Sequence, residues 1–230
     1  MIYELIVKHN IPVKKVVVAS SQFVNGEGIY KNIDGEVFKP IWRSNNQLEN
    51  KKWDFEDKNG NKLDWQWTPE THSSPPNQYA ISKYSQEQMA LNIGEKYDIP
   101  TVALRYSIVQ GSRQSFYNTY SGACRIFSLY YYFDKAPIVY EDGKMKRDFV
   151  NIKDVVEANL LALTKDEANG EVFNVGGGRA ISIYDFAVKI SQIYDRIELK
   201  PQLPGFYRFG DTRNACSDIS KIRKKLGWVP

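Results

Sequence analysis

An α/β fold built on a parallel sheet is what this 230-residue sequence predicts, and three observations predict it. Lys15 to Ser20 is a short β-branched run that suits a strand buried on both faces. Thr101 to Tyr106 is a second candidate strand. Before it, a stretch from about Gln78 to Tyr97 carries Ile81, Tyr84, Met89 and Ile93 at roughly helical spacing. Strand, excursion, helix and strand in that order form a parallel crossover unit, expected to be right-handed.

The remaining elements follow from local patterns. Met1 to Lys8 reads as the tail of a helix. Asn25 to Asn77 is too long and too aromatic for a simple connection, with Trp42, Trp53, Trp65 and Trp67 among many charges. It reads as a hairpin-bearing insertion packed on the domain, or as a lid or dimer surface. Ile138 to Tyr140 and Glu171 to Val175 are short strand candidates. Asn151 ahead of Asp154, Val155, Ala158, Leu161 and Ala162 has the pattern of a capped amphipathic helix. Ser182 with Asp185 resembles a capping box ahead of Phe186, Ala187 and Ile190. Asp218 is expected to open a last helix that stops at Gly227.

Composition narrows the function classes. With 42% hydrophobic and 25% charged residues, the chain can bury one sizeable core, or one core plus a small lobe. No apolar run approaches the roughly 20 residues of a membrane span, so no membrane partner and a cytoplasmic location are expected. Cys124 and Cys216 lie far apart with no Cys or His at ligand spacing, so no metal is expected. His9 and His72 sit in no recognisable catalytic motif. The densest basic cluster, Lys221 to Lys225, falls in a predicted helix and reads as a solvated face, not a nucleic-acid footprint.

The sharpest chemical signal is Tyr79-Ala80-Ile81-Ser82-Lys83, a phenol and an ammonium four apart and so on one helical face. A phenol used as a base near neutral pH must have its pKa lowered by roughly three units, which is about 4 kcal/mol of differential stabilisation. One ammonium at about 5 Å and an effective dielectric near 20 contributes on the order of 3 kcal/mol. A cationic nicotinamide ring could supply the rest. Ser20-Ser21 ends the first predicted strand, where parallel sheets place functional groups, and a hydroxyl there can donate to a developing oxyanion.

In this order the motifs resemble the extended short-chain dehydrogenase/reductases that act on nucleotide sugars. Val16 to Gly26 is similar to their strand and serine loop, Tyr79 to Lys83 to their catalytic helix, and Val102 to Gly111 to the strand end beside the nicotinamide. Lys146 to Val155 resembles their Arg-Asp-Phe-Val segment; Phe173 to Gly176, Arg208 to Asp211 and Leu226 to Pro230 complete the series. Gly26 to Tyr30, the insertion closing at Thr68-Pro69-Glu70, and Arg113, Gln114 and Asn118 within Gly111 to Gly122 resemble the branch that includes dTDP-L-rhamnose 4-epimerases, near the UDP-glucose 4-epimerases.

The resemblance implies a partial Rossmann-like doubly wound parallel sheet with its N-terminal strands missing, and a small C-terminal α/β substrate-binding lobe. Residues 1–111 would be the C-terminal half of the NAD-binding domain with an insertion at 27–76, and 112–230 the lobe, with 145–175 returning to the core. It further implies NAD, rather than NADP, as cofactor, a nucleotide-diphosphate sugar as substrate, and a homodimer formed through a helix pair. Ser21, Tyr79 and Lys83 would be catalytic; Ser20, Tyr79, Lys83, Tyr106 and Ser107 would meet the cofactor. Ser21, Asn118, Tyr140, Arg147, Arg208 and Asp211 would meet the substrate, the arginines at the diphosphate, Asp211 at a ribose and Tyr140 stacked on the base.

The implied activity is 4-epimerisation by transient oxidation at C4. A 4,6-dehydratase of this family carries an Asp-Glu pair after the serine or threonine, where Gln22 and Phe23 stand here, and neither can shuttle a proton. A 4-keto reductase would consume reduced cofactor. The sequence departs from the family at Ile108 and Gln110 and has no Gly-x-x-Gly-x-x-Gly after a strand, so a truncated, inactive substrate-binding fragment that holds NAD weakly is the remaining expectation.

Overall fold

The computed structural model describes residues 2–115, 117 and 122–230. From the amino end run α1 (Ile2–Lys8), β1 (Val16–Ser21), then β2 (Ile29–Lys31), β3 (Val37–Phe38), α2 (Asn45–Glu49) and β4 (Asp64–Gln66) of the insertion, then α3 (Gln78–Lys96) and β5 (Thr101–Tyr106). The second half adds β6 (Ile108–Gln110), α4 (Gly122–Tyr132), β7 (Lys146–Asn151), α5 (Ile152–Thr164), β8 (Val172–Val175), β9 (Ala180–Ser182), α6 (Ile183–Ile193), β10 (Asn214–Ala215) and α7 (Ser220–Leu226).

The central sheet has the order β1-β5-β8, all parallel, with Val16 opposite Thr101 and Ala103 opposite Val172. Because side chains alternate along a strand, Val102 and Leu104 face one layer and Ala103 the other. The first layer holds Val155, Ala158 and Ala162 of α5, with Ile222 and Leu226 of α7 and Trp228. Opposite lie Ala90 and Leu91 of α3, with Tyr3 of α1. Helices thus cover both faces, which makes the sheet doubly wound.

A second sheet, β10-β7-β6 with β9 added antiparallel to β7, extends the fold. Beside it α4 and α6 enclose a separate apolar cluster of Phe127, Tyr131, Val139, Met145, Ile183, Ala187 and Ile190. In the insertion, β3-β2-β4 is an antiparallel sheet over Tyr30, Phe55 and Leu63.

Some sequence expectations need correction. Ile138 makes only an isolated parallel bridge to Gln202; Pro137 precedes it and Glu141 turns the chain away with φ of +53°, so no strand forms. The last helix starts at Ser220, not Asp218, whose carboxylate instead accepts from the Ser220 N–H. On α3 the buried face is Ala80, Glu87, Ala90 and Gly94, while Ile81 and Met89 are exposed. Small residues let α3 approach the sheet: a Cβ on Gly94 would stand 2.3 Å from Thr101 Oγ1.

Candidate active site

Parallel sheets offer ligands the carboxyl ends of their strands. At that end of β1, Ser21 is 5% exposed and its Oγ accepts from the Phe23 N–H at 3.2 Å, capping a short 3-10 turn over Gln22–Asn25. That bond uses an oxygen lone pair and leaves the hydroxyl proton free to donate. Gly26 ends the turn at φ of +60°, and a Cβ there would lie 2.2 Å from the Ser74 carbonyl oxygen, so glycine is required.

α3 starts at an Asn77 cap, whose side chain accepts from the Ala80 N–H. Its first turns reach both sides of Ser21. The Tyr79 ring meets Phe23 edge-on with centroids 6.3 Å apart, and Lys83 Nζ donates to the Ala19 carbonyl at 2.9 Å and to Gln86 Oε1 at 3.4 Å. Tyr79 itself is 53% exposed, its ring half open to a ligand. Ser21, Tyr79 and Lys83 are therefore gathered at one strand end.

Their neighbours in the expected site are engaged with protein groups. Ser20 Oγ donates to buried Glu87 at 2.7 Å, so its hydroxyl has no proton left to give a ligand. The Tyr106 hydroxyl binds Asn159 Oδ1 at 2.9 Å, and Ser107 Oγ donates to Asp148 at 3.0 Å. Asp148 is fully buried and also accepts from the Gly177 N–H; burial, opposed by these bonds, pushes its carboxyl up to about 6.

A second grouping lies in the C-terminal half of the chain. The Arg208 guanidinium stacks on the Tyr140 ring at 4.9 Å, and the Asp211 N–H donates back to the Arg208 carbonyl at 3.2 Å. Arg147, expected at a diphosphate, is 7% exposed and directs NH2 to the Thr212 carbonyl at 2.7 Å and NH1 to that of Arg213 at 3.0 Å, with Asp211 Oδ1 at 3.7 Å. Its visible task is to hold the segment that carries Asp211. Asn118 lies outside the described residues.

Residues 60–176, just over half of the chain, match the NAD dependent epimerase/dehydratase family. The chain belongs to that family. A dTDP-L-rhamnose 4-epimerase of Burkholderia thailandensis is 35% identical over 227 residues, covering 99% of this chain and 61% of that protein. A putative UDP-glucose 4-epimerase of Methanocaldococcus jannaschii is 34% identical over 158 residues, 68% of this chain and 49% of that protein. Among solved structures, the Thermotoga maritima UDP-glucose 4-epimerase with UDP-glucose superposes with a TM-score of 0.73 at 28% identity, covering 99% of this chain and 61% of that one. The chain thus spans about half to three-fifths of the length of these relatives.

This epimerase/dehydratase chain also contains residues that reading the sequence missed. Glu87 accepts from Arg105 Nε at 3.0 Å and NH2 at 2.7 Å, and Arg105 NH1 gathers Asn25 Oδ1 and the Glu70 and His72 carbonyls. This buried pair ties the serine loop to the end of the insertion. Glu87 sits four after Lys83 and eight after Tyr79, so helical spacing was a signal that could have found it. Arg43, Glu141 and Arg213 gave no such signal.

Proposed function

We propose that this chain is the catalytic and sugar-nucleotide-binding part of an NAD-dependent nucleotide-sugar 4-epimerase. The observation that carries the reading is the convergence of Ser21, Tyr79 and Lys83 around the end of β1. The family match and the similarity to the Burkholderia 4-epimerase support it.

In this reading the Tyr79 oxygen takes the proton of the sugar 4-hydroxyl, with the Lys83 ammonium one helical turn further along α3. The Ser21 hydroxyl, with its proton free, donates to the same sugar oxygen as it becomes a carbonyl. NAD, when bound, would supply the hydride acceptor and donor for oxidation and re-reduction at the sugar C4. The donor set fits that cofactor: two of the three Lys83 N–H donors have protein partners, leaving one for a ribose hydroxyl. Arg208 is suited to the diphosphate, Tyr140 to the base and Asp211 to a ribose, while Arg147 secures the last of these. Residues 112–230 would form the substrate lobe, and the protein would dimerise through a helix pair that includes α3, on which Ile81 and Met89 are exposed.

The following residues speak against a dehydratase. Gln22 is buried, Phe23 rests on Tyr79, and neither offers the extra acid and base that elimination of water requires. The test is incubation of the intact protein and NAD with UDP-, dTDP- and GDP-hexoses, with products identified by NMR. A C4 epimer without net change in reduced cofactor is expected. Net consumption of reduced cofactor, loss of water, or binding without turnover would each replace this reading.

A further inference from the structure

Residues 208–213 form no helix or strand, yet the polar backbone groups around 211–214 are held by side chains from three distant segments. Buried backbone groups need such partners, but here the partners are ionisable side chains, two of them guanidinium groups. The Asp211 carbonyl accepts from Arg43 NH2 at 2.9 Å, and Arg147 takes the next two carbonyls. The Arg213 and Asn214 N–H groups both donate to the Glu27 carboxylate. Arg43 also donates from NH1 to Glu141 Oε2 at 2.8 Å and to the Trp53 carbonyl at 3.0 Å. Glu141 follows Tyr140 directly, and its N–H donates to the Phe206 carbonyl at 2.7 Å, two residues before Arg208. Arg213 NH1 meets the same Glu141 oxygen at 2.9 Å.

One guanidinium from the insertion therefore touches the backbone of Asp211 and the residue after Tyr140. The side chains of Arg43 and Glu141 are each 1% exposed. Buried ion pairs are costly to form, and apolar replacements of similar volume are often as stable, so stability alone gives no reason for these charges. Their common effect is geometric: they set Tyr140, Arg208 and Asp211 relative to the insertion.

We propose that Arg43 is a positioning residue for nucleoside-diphosphate binding, through which the insertion acts as a fixed buttress for the wall formed by Tyr140, Arg208 and Asp211. This rests on the sugar-nucleotide reading above and assigns the insertion a part in it. Arg43 touches no reacting atom, so its loss raises KM and leaves kcat nearly unchanged.

The experiment measures UDP and dTDP affinity by calorimetry, and kcat and KM with the preferred sugar nucleotide, for the intact parent protein, Arg43→Met, Arg43→Lys and Glu141→Gln. With the wall no longer buttressed, Arg43→Met should weaken nucleoside-diphosphate binding and raise KM by about tenfold, with kcat within about twofold. Arg43→Lys, which can reach some of the three acceptors, should recover part of the loss. Glu141→Gln keeps the shape of the site and supplies the readout should Arg43→Met not fold. Variants that melt earlier but bind nucleoside diphosphate as the parent does would overturn the inference alone. A parent that binds neither nucleotide would overturn the sugar-nucleotide reading and this inference with it.

Discussion

At the scale of single residues, the site is a matter of which polar atoms remain free. Ser20 and Ser21 are adjacent and chemically alike, yet strand alternation turns Ser20 onto Glu87 while the Ser21 hydroxyl stays at the open strand end. Glu27, near the serine loop, has a strongly perturbed environment. Burial, opposed by the Arg213 N–H and the charge of Arg43, pushes its carboxyl from 4.5 up to about 7. The folded protein then holds a proton that the unfolded chain releases. The stabilisation from this group is complete below about pH 4.5 and is lost as pH rises through about 7. Glu27→Gln, which mimics the protonated form, should remove that dependence. Urea midpoints of parent and variant should diverge between pH 5 and 8, the parent losing ground; a difference independent of pH would contradict it. Tyr79 and Lys83 were legible because helical spacing is local. The Arg43 to Glu141 pair spans 98 residues, and no local pattern announces a partner at that separation.

At the scale of elements, the sequence revealed what has a strong internal period. β1, α3, β5 and α5 stand where the patterns put them, within a residue or so. β6, β9 and β10 have three residues or fewer, too short for alternation to register, and β7 reads as a motif before it reads as a strand. Helix α3 exposes its larger apolar side chains because Ala80, Ala90 and Gly94 bring its other face close to the sheet. Exposed Ile81 and Met89, with Leu5 exposed on neighbouring α1, are suited to burial against a second copy. The intact protein should sediment as a dimer and Met89→Lys should shift it toward monomer; a monomeric parent would refute the dimer.

At the scale of the molecule, the doubly wound core brings a strand end and a helix start together, and buried side chains tie residues far apart in sequence to one another. Helices on both faces fix β1 and β5, α3 brings Tyr79 and Lys83 to the end of β1, and the buried charges join the insertion to the segments that carry Tyr140 and Arg208. The fold class, and the three residues proposed as catalytic, could be picked out in the sequence because each lies within one element or at its end. The different surroundings of Arg147 and Arg208 could not, since they depend on what the folded chain brings within reach of each guanidinium, backbone carbonyls for Arg147 and the Tyr140 ring for Arg208.

The most direct measurement is the turnover of Tyr79→Phe in the intact protein at saturating sugar nucleotide, alongside its nucleotide-sugar affinity. Turnover should fall below about a tenth of the parent rate, a barrier increase of more than about 1.4 kcal/mol, with affinity nearly unchanged. A variant that keeps more than that tenth would contradict the role given to the Tyr79 oxygen.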